Sequence, residues 1–88
     1  MHKAIIKGRV HGVGFRAAAK AIADKKGHRG TVRNLPDGTV ELILCDSRPA
    51  LENFIRDIAA LIPNGSIEDI IIQIYTAGSP YKGFAILR

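Results

Sequence analysis

The apolar residues of this chain change their spacing abruptly between Val10 and Phe15, and that change constrains the fold more than any other feature. From Lys3 to Val10 they alternate: Ala4, Ile6, Gly8 and Val10 fall on one side, with Lys3, Lys7 and Arg9 mostly on the other. A period of two is the mark of a strand buried on one face, so residues 3–10 are read as a strand. From Phe15 the apolar residues Phe15, Ala18, Ala19, Ile22 and Ala23 recur three or four apart, while Lys20, Asp24 and Lys25 lie outside the stripe. That is an amphipathic helix, and Gly27 ends it.

The rest of the chain can be read the same way. Residues 29–34 and 38–45 form two strands around Leu35-Pro36-Asp37-Gly38, where proline presets one φ and glycine frees the next. Val40, Leu42 and Leu44 are the inner row of this hairpin. A second helix starts near Ser47, a capping residue with Pro49 in the first turn, repeats Leu51, Phe54, Ile55, Ile58 and Ile62, and stops at Pro63, Asn64 and Gly65. Residues 67–75 are an isoleucine-rich strand, Ala77 to Pro80 a turn, and Gly83 to Leu87 a short last strand. The order β-α-β-β-α-β plus a final strand predicts an α+β fold of the ferredoxin-like, split βαβ kind. Its antiparallel sheet would carry both helices on one face, the other face being partly solvated.

The chain has 88 residues, and a hydrophobic content of 47% fits a real core, so residues 1–88 are read as one domain. Cys45 is the sole cysteine, which rules out an intramolecular disulfide and a cysteine metal cluster. Its position at the end of an apolar strand suits packing rather than reactivity. A single cysteine suits a reducing compartment. Neither a leader pattern nor a membrane-length apolar run is visible, and the expected location is cytoplasmic. Charge is uneven. Residues 1–33 carry nine Lys/Arg against Asp24 alone, for +8, whereas residues 34–88 sum to −3. A basic pole attracts anions, either phosphorylated small molecules or nucleic acid.

Two segments carry candidate chemistry. In Gly8-Arg9-Val10-His11-Gly12-Val13-Gly14-Phe15-Arg16 a strand ends, two glycines let the chain turn back, and a helix opens. The backbone amides of His11, Gly12, Val13, Gly14, Phe15 and Arg16 would then converge beside the positive end of the helix dipole, a setting that favours a bound phosphate. Arg16 adds a planar donor fork that matches two phosphate oxygens. The same stretch fits the dinucleotide pattern G-x-G-x-x-G/A, but a hairpin follows the helix where that fold requires a parallel strand and further βα units. In the second segment, Gly30 to Val40, Asn34 stands where strand gives way to turn, and its carboxamide can orient one water or cap the turn.

Together the two segments resemble the acylphosphatase family, whose first signature is close to G-x-V-Q-G-V-x-F-R and whose second runs G-aromatic-V-basic-N, three residues, then G-x-V. Gly8, Val10, Gly12, Val13, Phe15 and Arg16 match the first, Gly30, Val32, Arg33, Asn34, Gly38 and Val40 the second, and the ending Tyr81 to Arg88 extends the likeness. His11 replaces the family glutamine, Thr31 the aromatic, Asp46 a common glycine, and Pro63-Asn64-Gly65 the usual Gly-Pro connection.

The resemblance implies hydrolysis of an acyl phosphate to a carboxylate and inorganic phosphate, with Arg16 binding the phosphate and Asn34 holding the attacking water. It implies a metal-independent enzyme without cofactor, a small-molecule substrate, inhibition by inorganic phosphate, and a monomer that binds neither membrane nor nucleic acid. His11 introduces a titrating group into the loop and is expected to face solvent. The alternative is a basic ferredoxin-like RNA-binding module, faintly suggested by Lys82-Gly83-Phe84-Ala85. Against it, residues 29–34 and 38–45 contain no aromatic residue on which a base could stack.

Overall fold

A computed structural model of the chain describes residues 1–76 and 81–88. The turn expected at Ala77 to Pro80 lies outside the described residues. The elements follow the expected order: β1 (His2–Arg9), α1 (Phe15–Lys26), β2 (Gly30–Asn34), β3 (Val40–Leu44), α2 (Arg48–Ala60), β4 (Ser66–Ile74) and β5 (Phe84–Leu87).

Each helix has a local cause. The α1 helix ends at Gly27, in the left-handed conformation at φ 72°, whose amide donates to the Ala23 carbonyl, and Lys25 and Lys26 complement the negative end of the dipole. In α2 the Ser47 side chain accepts from the Ala50 amide at 3.3 Å, with Pro49 in the first turn where no amide is needed. The helix ends at Ala60, earlier than the Pro63 to Gly65 stop signal. Pro63 disfavours helical backbone at Ile62, so the chain leaves the helix first and Ile62 still reaches the core. Leu51, Phe54, Ile55 and Ile58 are buried along one stripe, each contributing roughly 1.5–3 kcal/mol.

The strands lie in the order β4-β1-β3-β2-β5. The β1 strand runs antiparallel to β3 and β4, and β2 antiparallel to β3, whereas β5 adds to the outer edge of β2 in parallel. The sheet is therefore mixed, with its one parallel pair at that edge. Because β3 separates β1 from β2, the helix α1 crosses over two strand positions, and the adjacent parallel strand of a dinucleotide fold is absent from this unit. Both helices cover one face. Ala4, Ile6 and Val10, then Val32, then Val40, Leu42 and Leu44 meet Phe15, Ala19 and Ala23 of α1 and the buried row of α2 in one cluster. The other face is partly solvated, as its mixed alternation implies: Lys7 and Ile71 are exposed there, while Thr31 and Ile43 are buried.

Gly30 begins β2 at φ +154°, and a Cβ added there would collide with the Ile43 carbonyl across the ladder. The obstacle is backbone, which cannot move without breaking the β2–β3 pairing that carries Asn34. Gly30→Ala is expected to lower unfolding stability by about 2–3 kcal/mol, through strain and collision together. Urea denaturation measures this directly, and a loss below about 0.5 kcal/mol would refute the close approach.

Candidate active site

Val10 and Phe15, both buried, fasten the two ends of the loop at residues 11–14 to the core. Between them Gly12 and Gly14 take φ values of 69° and 85°. An added Cβ at either would meet no atom within 4 Å, so glycine is required by backbone conformation and not by space. Gly14 is also the cap of α1: the first helical bond runs from the Ala18 amide to the Gly14 carbonyl at 2.9 Å. The amides of Phe15, Arg16 and Ala17 therefore have no acceptor inside the helix. The first turn holds no acidic side chain to offset the positive end of the dipole. Arg16 is half-buried, and the ion pairs of the described residues do not include it.

Asn34 ends β2, paired across the ladder with Val40. The turn that follows is closed without its side chain. The Leu35 amide donates to the Thr39 carbonyl at 2.9 Å and the Gly38 amide to the Leu35 carbonyl at 3.1 Å. One Asp37 oxygen accepts from the Thr39 hydroxyl at 2.6 Å and from its amide at 3.0 Å. Those bonds, the hydroxyl's first, hold the Asp37 carboxyl below the usual carboxylate range. The lock therefore contributes above the ordinary Asp pKa and is lost only as pH falls through the lower folded value. The capping role that sequence leaves open for Asn34 is thus filled by Asp37. The buried carboxamide oxygen of Asn34 has no partner among the described residues, and of the three buried side-chain atoms left so, with Thr31 Oγ1 and Arg33 Nε, it alone belongs to a residue that lines the cavity described next.

The two segments meet at one end of the sheet. Gly12, Gly14, Phe15, Arg16 and Asn34 line a single cavity of about 480 Å³. Alternation along β2 puts Asn34 on the same side as buried Val32, toward α1, and not on the side of Arg33, which pairs with Glu41 at 3.2 Å. His11 and Val13 do not line the cavity. Val13 packs against the core, and His11, exposed as expected, turns its ring toward the β2–β3 turn and donates from Nε2 to the Thr39 carbonyl at 2.8 Å.

Ile86 and Arg88 also line the cavity, and sequence reading missed both. Period two from buried Phe84 would have put them on the helix face, but the place of β5 beside β2, with Ile86 opposite Val32, depends on strand order. Phe84, the aromatic in the faint RNA-binding echo, is buried edge-on against Phe54 at 5.6 Å between centroids and has no free face for a base. Among the described residues, no helix is long and apolar enough to cross a membrane, and no group of three or more His, Cys, Asp or Glu side chains could hold a metal ion.

A ferredoxin-like α+β fold thus carries, at one end of its sheet, a cavity lined by two arginines, Arg16 and Arg88, and by the unsatisfied carboxamide of Asn34, a surface whose charge suits an anion. The acylphosphatase family profile matches residues 2–86. The acylphosphatase of Thermus thermophilus is 46% identical over 83 residues, covering 94% of this chain and 93% of its own. That of Latilactobacillus sakei is 41% identical over 75 residues, covering 81% and 82%. The crystal structure of the acylphosphatase from Bacillus subtilis superposes with a TM-score of 0.81 at 31% identity, covering 99% of this chain and 97% of that one. The chain belongs to the acylphosphatase family, whose activity is hydrolysis of acyl phosphates.

Proposed function

We propose that residues 1–88 act as one domain, a metal-independent acylphosphatase in which Arg16 and the amides of the loop residues that line the cavity, Gly12, Gly14, Phe15 and Arg16, hold the phosphoryl group and Asn34 orients the attacking water. The observation that carries this reading is the meeting of Arg16 and Asn34, 18 positions apart in the chain, on the wall of one cavity at the N-terminus of α1. The guanidinium and the amides stabilise charge on the equatorial phosphoryl oxygens. The carboxamide, which both donates and accepts, holds water on the face opposite the leaving group. The water oxygen bonds to phosphorus, the bond to the acyl oxygen breaks, and its electron pair leaves with the carboxylate.

A carboxylate leaves readily, so no general acid is needed, and a phosphoryl oxygen of the substrate takes the water's proton. Charge compensation comes from Arg16 and main-chain dipoles, the reason for proposing that no metal takes part. Val10 and Ile86 provide an apolar wall for the acyl group. The protein is read as a cytoplasmic monomer whose product, inorganic phosphate, competes with substrate for the same amides. Benzoyl phosphate is expected to be hydrolysed at an undiminished rate in excess EDTA, with inorganic phosphate a competitive inhibitor. Activity that vanished with EDTA and returned with a divalent cation would overturn the metal-free reading.

A further inference from the structure

The cradle and the water-holding carboxamide sit on segments that the sheet does not join directly. Loop 11–14 follows β1 and Asn34 ends β2, with β3 lying between those two strands. The β1–β3 ladder stops at the pair Ile6–Val40, well before the loop. Across the gap runs the bond from His11 Nε2 to the Thr39 carbonyl, at 2.8 Å. That same carbonyl accepts the amide of Leu35, the residue after Asn34, at 2.9 Å. The Asp37 carboxylate holds Thr39 through both its amide and its hydroxyl. One carbonyl thus takes a donor from the loop that carries the cradle and a donor from the backbone beside Asn34.

We infer that His11 is a positioning residue: its Nε2–H fastens the phosphate loop to the β2–β3 turn and so sets where Asn34 holds water relative to the bound phosphoryl group. This rests on the roles proposed above for Arg16 and Asn34. Because a carbonyl only accepts, a proton must sit on Nε2. The tie is therefore a matter of reach. The Nε2 atom of histidine stands three bonds beyond Cβ, as does the amide nitrogen of glutamine, whereas the amide nitrogen of asparagine stands two. An exposed neutral hydrogen bond is worth about 1 kcal/mol, which corresponds to a rate change of about fivefold if it is spent on alignment.

The test compares His11→Gln, His11→Asn and His11→Ala. With benzoyl phosphate as substrate, kcat is expected to fall about fivefold in His11→Asn and His11→Ala and to stay within twofold of the parent in His11→Gln. The inhibition constant of inorganic phosphate should hold within twofold throughout, since the cradle is untouched. In Asn34→Ala the further change His11→Ala should cost nothing, because the tie then aligns nothing. A loop-folding role would instead weaken phosphate binding, and its effect would add to that of Asn34→Ala.

Equal rates for the Gln and Asn variants, an undiminished rate for His11→Ala, or additive losses would each overturn the inference. Amide NMR supplies a readout without turnover: the Leu35 and Thr39 resonances should move in His11→Ala and hold in His11→Gln, and resonances that hold in both would remove the tie. Failure of the underlying reading is distinguishable, because it appears as full activity in Asn34→Ala whatever occupies position 11.

Discussion

Arg16→Ala lowers kcat/KM for benzoyl phosphate by about 10³-fold and removes measurable inhibition by inorganic phosphate: that is the largest effect the cavity leads us to expect. Arg16 is the charged side chain of the loop and first helical turn that lines the cavity, and it has no ion-pair partner among the described residues. A guanidinium fork can reach two phosphate oxygens at once, and each charge-assisted bond is worth about 1.5–3 kcal/mol. Losing both therefore costs about 3–6 kcal/mol, of which the amides and the helix dipole recover only the part they already supply. Lysine preserves the charge but not the planar pair of donors, so Arg16→Lys should recover a minor fraction. Folding is not at stake, because Arg16 is half-buried and its removal opens no core cavity. Steady-state kinetics with phosphate as competitor decide the matter, and activity within threefold of the parent would refute the role.

The second large effect has a different kinetic signature. Asn34→Ala should lower kcat by about 10²-fold while leaving the inhibition constant of phosphate unchanged, since a water-orienting group acts after substrate is bound. A loss confined to KM would mean instead that Asn34 contacts the ground-state phosphate. Stability offers an independent check. The carboxamide oxygen is buried without a partner, so truncation removes an uncompensated acceptor, and the unfolding midpoint should hold or rise. An asparagine serving as a turn cap would behave in the opposite way, losing about 1 kcal/mol on truncation.

Much of the fold is legible residue by residue. The period change at Phe15, the Ser47 cap and the inner row Val40, Leu42 and Leu44 all depend on neighbours in sequence, and all appear where local patterning puts them. The end of α2 departs from the stop signal at Pro63 because a proline acts on the residue before it, not only at its own position. The parallel pairing of β5 with β2 was not legible, since neither strand's alternation records which edge a short strand will join. Ile86 and Arg88 were missed at the cavity for the same reason.

The amino-acid sequence by itself determined the elements, the buried faces, the glycine turn before α1 and the presence of Arg16 and Asn34 in signature segments, because each rests on spacing within a few residues. Tertiary structure alone decided that these two side chains share a wall, that β5 closes the cavity with Ile86 and Arg88, and that His11 reaches the Thr39 carbonyl. Those are contacts between segments 18 or more positions apart. They follow from strand order and crossover direction, which the whole core selects together and no single stretch of sequence encodes.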